Sequence, residues 1–289
     1  MKKYIKIILS VFAFVIFLFI SLNETYDNSF KDFFIKDTLE NKKEKQIQTD
    51  IKNIIEKNFA GYKGTLSYAI HFYDDDVLIT SDNIQDKLKS ASLIKLFICE
   101  YVFCLEKEGE LSFDAIIKGY TVSSLIENMI TISDNNATNI LIDYLGFDKI
   151  NEFIISKGYT KTTLERKMLD TKAQKEGREN YTSADDVLGF LDNLYSNKDE
   201  KINDSILSIM KRQKVSTKIR KYLLKDTIIA NKTGELSDTQ NDAGIVFSPY
   251  GDFSLVFITN GANSHDAIDM IAKSAKDIYT YKINQNTTK

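Results

Sequence analysis

Residues 91–110, ASLIKLFICEYVFCLEKEGE, decide the fold. Nearly every position from Leu93 to Leu105 is apolar, so a helix here is hydrophobic around its whole circumference and belongs at the centre of the protein. The two cysteines of the chain, Cys99 and Cys104, lie five positions apart in this stretch. Helical geometry places them too far apart and on different faces for a disulfide, so we expect buried free thiols.

Residues on both sides of this helix predict strands of one antiparallel sheet. Residues 65–73 (TLSYAIHFY) alternate between apolar and polar side chains, and residues 77–80 (VLIT) follow after three aspartates, which is typical of a hairpin. The last third of the chain contains three more stretches with the pattern of strands, at 226–234, 241–248 and 252–261. Both ends of the chain therefore contribute to the sheet.

The segment between the two groups of strands is helical in pattern. Apolar residues recur there at helical spacing, and a further helix is predicted at 266–282, after the last strand. The helical stretches are 123–130, 137–145, 150–156, 183–194 and 204–211. The fold class is therefore α+β, an antiparallel five-stranded sheet flanked by helices plus an all-helical lobe. A polar stretch at 160–181 is long for a connector, which favours a functional loop.

The composition excludes several classes of protein. The 289 residues are 43% hydrophobic and 27% charged, which suits a folded chain with a sizeable core. The 38 basic and 41 acidic residues are scattered, which argues against a nucleic-acid partner. Two histidines and two cysteines argue against a zinc cluster, a Ser-His-Asp triad and a disulfide framework. We expect a monomer with no metal and no cofactor.

The first residues have the pattern of a targeting segment. Three lysines within the first six residues precede an uncharged run at 7–22, which predicts a signal peptide or membrane anchor over residues 1–24. No small-x-small cleavage site follows Leu22, which favours the anchor. A polar spacer and first helix (25–60), a folded domain (61–283) and a tail (284–289) complete the predicted organisation. The folded part is then expected outside the cytoplasm, anchored to the membrane or secreted after cleavage.

Ser92 and Lys95 form an SxxK motif at the start of the central helix. Three-residue spacing puts the hydroxyl and the amine on one face, and the helix start favours the anion that forms when the hydroxyl attacks a carbonyl. Burial would lower the pKa of the lysine and make it a usable base. The motif alone fits a helix N-terminus with a snorkelling lysine equally well. A second SxxK, at 208–211, reads as a surface turn of helix.

Two further tripeptides make the SxxK motif specific for one class of enzyme. Residues 133–135 spell SDN after a helical stretch, and residues 232–234 spell KTG at the end of a predicted strand. The order SxxK, SDN, KTG is typical of serine penicillin-recognising enzymes. Another SDN, at 81–83, precedes the SxxK and so breaks this order.

From about Tyr62 to Tyr281 the chain resembles the class A β-lactamase family and its serine-hydrolase relatives. The matching stretches are ASLIKL, EGELSFD, LIENMITISDNNATNILIDYLG and NKTGE. The resemblance implies an active site between the sheet and the helical lobe. It also implies that Ser92 is the nucleophile, Lys95 its proton acceptor and Ser133 the proton relay to the leaving nitrogen.

The KTG strand has the remaining roles that the resemblance implies. Lys232 would pair with the substrate carboxylate, and Asn135 and Thr233 would bind polar groups of the substrate. The backbone N–H groups of Ser92 and Glu235, the latter just beyond Gly234, would form the oxyanion hole. An acidic side chain at Glu235 is unusual beside a site for anionic substrates, and we expect it to point away. No arginine follows Lys232, so Lys232 is expected to hold the carboxylate alone.

One residue departs from the family pattern in a way that affects chemistry. Class A enzymes hydrolyse their acyl intermediate with a loop glutamate, and its position falls near Met168, which cannot activate water. Asp170 and Glu165 are the candidate replacements as deacylation base. The alternative for both is an ion pair with Arg166 that holds the loop.

These observations predict an exported serine hydrolase that opens β-lactams or related D-alanyl amides through a Ser92 acyl-enzyme, with slow deacylation. The alternatives are a membrane-tethered module that binds penicillin and traps the acyl group, or a cell-wall D,D-peptidase. Glutaminase-like chemistry on the same fold is a further alternative. The partner in the first three cases is a small β-lactam or a peptidoglycan stem.

Overall fold

The computed structural model describes residues 28–261 and 264–287. The predicted membrane segment at 7–22 lies outside the described residues. None of the helices within the described ranges is long and apolar enough to cross a membrane. The chain divides into two units, Met1–Ile47 and Gln48–Lys289. The described part of the first unit, residues 28–47, is helical, and the second unit contains all of the strands in the described ranges.

The secondary-structure elements follow the predicted order of strands, helices, strands and a final helix. The strands are β1 (Thr65–Phe72), β2 (Val77–Thr80), β3 (Leu88–Lys89), β4 (Ile116–Ile117), β5 (Tyr120–Thr121), β6 (Tyr181–Thr182), β7 (Ile228–Leu236), β8 (Thr239–Phe247) and β9 (Phe253–Asn260). The helices are α1 (Asn28–Asn58), α2 (Ile94–Lys107), α3 (Val122–Thr131), α4 (Asn135–Leu145), α5 (Phe147–Ser156), α6 (Thr171–Lys175), α7 (Ala184–Ser196), α8 (Lys201–Lys211) and α9 (Ser264–Thr287).

The main sheet has the strand order β2-β1-β9-β8-β7, and all its neighbouring strands are antiparallel. The N-terminal hairpin pairs with the C-terminal strands through β1 and β9, with Tyr68 opposite Phe257. The predicted α+β class and five-stranded antiparallel sheet are therefore confirmed. Strand β7 lies at one edge of this sheet, so the KTG motif within it has a neighbouring strand on one side only.

Helix α2 is buried around its circumference, as its sequence predicts. Leu96, Phe97 and Ile98 have no exposed surface although they point in different directions from the helix axis. Cys99 and Cys104 are free thiols; Cys99 is buried, whereas Cys104 is only half-buried. A short 3-10 turn, residues 91–93, precedes the helix and holds Ser92.

The long stretch at 160–181 contains structure that the sequence pattern did not predict. Helix α6 lies within it, and β6 at its end pairs with β3, which places Lys89 opposite Tyr181. A buried ion pair between Arg166 and Glu179, 2.7 Å apart, closes the loop on itself. Strand β3 ends directly before the turn with Ser92, so the loop is attached to the segment that positions this serine.

The burial of α2 predicts a large cost for truncating its side chains. Ile98→Ala should lower the free energy of unfolding by about 2–5 kcal/mol, because it removes buried methyl groups and leaves a cavity. Ile155→Ala is the matched control, since Ile155 is 65% exposed, and it should change stability by less than about 0.5 kcal/mol. Urea denaturation measures both, and similar effects of the two variants would contradict a central α2.

Candidate active site

The turn that contains Ser92 is held from two sides. The side-chain amide of Asn241, on β8, donates hydrogen bonds to the carbonyl oxygens of Lys89 (3.0 Å) and Ser90 (3.1 Å). The backbone N–H of Ser90 donates to the carbonyl oxygen of Asn180, at the end of the long loop (2.8 Å). The sheet and the loop therefore both fix the backbone that leads into Ser92.

Gly234 allows the edge strand to approach this turn. A Cβ at position 234 would lie 3.0 Å from the carbonyl oxygen of Ser90 and 3.1 Å from the backbone nitrogen of Ser92, which is too close for any side chain without a shift. Ala91, next to Ser92, has a φ of 46°, in the left-handed region that costs a residue with a side chain about 1–3 kcal/mol. The surrounding contacts maintain this strained backbone beside the serine.

Three polar side chains from three motifs meet next to this turn. The amine of Lys95 donates to the hydroxyl of Ser133 (3.1 Å) and to its carbonyl oxygen (2.7 Å). The amine of Lys232 donates to the same hydroxyl (2.9 Å) and to the carbonyl oxygen of Thr233 (2.7 Å). The Oδ1 atom of Asn135 also accepts from Lys95 (2.8 Å). The structure thus brings SxxK, SDN and KTG together around one hydroxyl.

The helix after the SDN motif explains how Ser133 is placed. Asp134 caps the N-terminus of α4 by accepting a hydrogen bond from the N–H of Ala137 (2.9 Å). Ser133 itself has a φ of 58°, so its carbonyl and hydroxyl both face Lys95 from a tight turn. The middle residue of SDN is therefore structural, a role that sequence reasoning did not assign.

Burial sets the protonation state of the Lys95 and Lys232 amines. Both side chains are fully buried. Desolvation lowers the pKa of Lys95 to about 7, although the nearby Asp134 carboxylate acts in the opposite direction. Desolvation, followed by the neighbouring charge of Lys95, also lowers the pKa of Lys232 well below its ordinary value. An amine with a pKa near neutrality exists partly in the unprotonated form, which can accept a proton.

Ser92 lies beside this network without being bonded into it. Its side chain is half-buried and forms no hydrogen bond to the residues that the structure describes. The acceptors of Lys95 are Ser133 and Asn135 instead. The short interval of one helical turn still places the Ser92 hydroxyl and the Lys95 amine on the same side of the chain.

A further cation lies at the edge strand, and sequence reasoning missed it. Lys218, in the connection between α8 and β7, is fully buried, and its amine donates to Glu235 Oε1 (2.7 Å) and Gln240 Oε1 (3.0 Å). Its charge contributes to the lowered pKa of Lys232. The carboxylate of Glu235, which we expected to point away, is bound to this buried cation. No motif marks Lys218, which lies in a segment without periodicity.

The loop position assigned to the deacylating glutamate is firmly held in the structure. Met168 is buried, and its backbone forms two hydrogen bonds with the side chain of Asn139 on α4, at 2.8 and 3.0 Å. Asn139 lies six residues after Ser133, so the SDN helix and the loop are connected directly. The backbone at position 168 is thus fixed by Asn139. The side chain it carries is a thioether, which can neither donate nor accept a proton.

The two candidate deacylation bases have other partners in this structure. Glu165 accepts hydrogen bonds from Lys87 and from the hydroxyl of Thr163, both at 3.2 Å. Asp170 caps helix α6 by accepting from the N–H of Ala173 (2.9 Å). The alternative, in which either carboxylate pairs with Arg166, is wrong, because the Arg166 guanidinium binds Glu179. Neither carboxylate is hydrogen-bonded to the Ser92, Lys95, Ser133 or Lys232 side chains within the described ranges.

A serine at a helix start, a buried lysine one turn later, an SDN turn and a KTG edge strand form the arrangement that is typical of penicillin-recognising serine enzymes. The model of the β-lactamase enzyme family matches residues 46–282. The chain belongs to that family.

Individual relatives are distant. β-Lactamase BRO-1 of Moraxella catarrhalis is 26% identical over an alignment of 219 residues, with a coverage of 64% of this chain and 67% of that protein. The β-lactamase of Sphaerobacter thermophilus superimposes with a TM-score of 0.70 at 22% identity, over 80% of this chain and 96% of the other. PBP-A does so with a TM-score of 0.71 at 23% identity, over 82% and 95%. Both superpositions show the shared fold.

The lowered pKa of Lys95 predicts a pH dependence of stability. Between the folded value of about 7 and the unfolded value of 10.5, the unfolded chain binds a proton at this lysine that the folded chain does not. The free energy of unfolding therefore rises with pH in that window. Lys95→Met should reduce this rise between pH 7 and 9, whereas Lys201→Met, at an exposed lysine, should leave it unchanged. Urea denaturation at pH 7, 8 and 9 measures it, and equal slopes in all three proteins would refute the lowered pKa.

Proposed function

We propose that this protein is a serine hydrolase that β-lactams or related D-alanyl amides acylate at Ser92. The observation that supports this proposal best is the meeting of Lys95, Ser133 and Lys232 within hydrogen-bond distance, next to the strained turn that presents Ser92. Family membership adds support, since BRO-1 is a β-lactamase. The uncharged run at 7–22 supports a location outside the cytoplasm, with this run as anchor or signal.

In the proposed reaction, unprotonated Lys95 takes the proton of the Ser92 hydroxyl. The Ser92 oxygen then forms a bond to the carbonyl carbon, and the carbonyl electron pair moves onto oxygen, where the N–H groups of Ser92 and Glu235 stabilise it. When that pair returns, the carbon–nitrogen bond breaks. The leaving nitrogen takes the proton of the Ser133 hydroxyl, which Lys95, now protonated, restores through its hydrogen bond.

The lifetime of the acyl-enzyme distinguishes the two versions of this function. A β-lactamase hydrolyses the ester quickly, which needs a base near the ester carbonyl. Met168 supplies none, and Glu165 and Asp170 are engaged elsewhere. These contacts favour slow deacylation, so that the protein behaves as a penicillin-binding module with weak hydrolytic turnover.

The nucleophile is tested by the mass of the protein after incubation with benzylpenicillin. The wild-type chain should gain one adduct, because its serine is activated by the adjacent amine, and Ser92→Ala should gain none. Ser208→Ala is the matched control, since Ser208 belongs to the second SxxK, on the exposed surface of α8. Intact-mass spectrometry reports the adduct. A wild-type protein that shows neither an adduct nor turnover would remove the proposal.

Slow deacylation is tested at position 168. Met168→Glu introduces a carboxylate at a backbone position that Asn139 fixes, and it should shorten the lifetime of the benzylpenicillin adduct by about tenfold or more, within the range that general base catalysis supplies. Met168→Gln, which has a similar size but no basic group, should not shorten it. The decay of the adduct is followed by mass after removal of free ligand. Equal lifetimes in all three proteins would count against a missing base as the cause.

A further inference from the structure

The edge strand carries a carboxylate where the proposed function needs cations. Lys95, Lys232 and Lys218 are all fully buried in this region, and the charges of Lys95 and Lys218 both act on Lys232. Such a cluster attracts an anionic group. Glu235, next to Gly234 on the same strand, opposes that attraction with a negative charge.

The contact between Glu235 and Lys218 is close and reaches the surface. Glu235 Oε1 lies 2.7 Å from the Lys218 amine; the lysine side chain has no exposed surface, whereas the glutamate side chain is 49% exposed. Glu235 is therefore the charged group through which this buried cation meets solvent. Its backbone N–H belongs to the proposed oxyanion hole, so the side chain starts beside the position of the reacting carbonyl.

We propose that Glu235 is a specificity residue: its carboxylate occupies Lys218 in the free protein and competes there with the carboxylate of an anionic substrate. This inference rests on the proposed acylation of Ser92. An anionic β-lactam then has to displace Glu235 from Lys218 or bind against its charge, whereas a substrate that is neutral at this position meets no competitor.

Lys218 keeps other partners when Glu235 moves away. Gln240 Oε1 accepts from its amine at 3.0 Å. The buried carboxylate of Asp242 acts on the same lysine, and it is held by the side chain of Asn231 and the N–H of Ile219, both at 2.9 Å. Displacement of Glu235 therefore does not leave an unpaired buried charge, which is the condition for an exchange of carboxylates on Lys218.

The test compares acylation by benzylpenicillin and by its methyl ester, which lacks the negative charge. Glu235→Gln removes the competing charge but retains an oxygen that can accept from Lys218. It should raise the second-order acylation rate constant for benzylpenicillin about tenfold, equivalent to about 1.4 kcal/mol. The rate constant for acylation by the methyl ester should change less than twofold. Glu127→Gln, which removes the carboxylate of the exposed pair with Arg212, is the control for net charge and should change neither.

A second substitution assigns the effect to Lys218. In a Lys218→Met background, Glu235→Gln should no longer favour the anionic ligand, because the contested cation is gone. An increase that is equal for acid and ester, or no increase for either, would overturn the inference.

If none of these proteins shows an adduct or turnover, the acylation proposal fails and inorganic sulfate decides the inference. Sulfate should then raise the melting temperature of Glu235→Gln more than that of the wild-type protein, and the difference should vanish in the Lys218→Met background. Equal shifts in Glu235→Gln and wild type would overturn it.

Discussion

The site depends on the burial of two amines against one hydroxyl. Ser133 accepts hydrogen bonds from both Lys95 and Lys232, and neither lysine has exposed surface. Two buried positive charges that share one hydrogen-bond acceptor repel each other and are poorly solvated. The arrangement therefore favours the loss of a proton from one of the two amines. The rest of the structure holds the elements that keep these groups together: the core helix for Lys95, the capped SDN turn for Ser133 and the edge strand for Lys232.

Much of this arrangement is readable from the sequence because it rests on local patterns. The alternation at 65–73 and the apolar run at 93–105 predict a strand and a central helix correctly, and the order of three short motifs predicts which residues meet. The first two of these patterns are repeated constraints over consecutive residues. Pairing of β1 with β9 also follows, since a sheet built from both ends of the chain needs such a contact.

The parts that the sequence did not reveal are single contacts between distant residues. Lys218 lies in an irregular segment, and its partners Glu235 and Gln240 are on strands that come later in the chain. Helix α6 has only five residues, too few to show a period. Arg166 pairs with Glu179 although Glu165 and Asp170 are nearer in the sequence, because the pairing depends on how the loop closes in space. None of these contacts produces a periodic pattern in the sequence.

Asn180 joins the long loop to the turn that contains Ser92 through a chain of hydrogen bonds. Its carbonyl accepts from Ser90, and its side chain binds the backbone of Arg166 and Glu165 at 2.8–3.0 Å. A change in the number of residues between 166 and 180 would therefore displace the turn that contains Ser92 as well as the loop. An exchange of side chains within a loop of constant length therefore disturbs the turn at Ser92 less than an insertion or a deletion does.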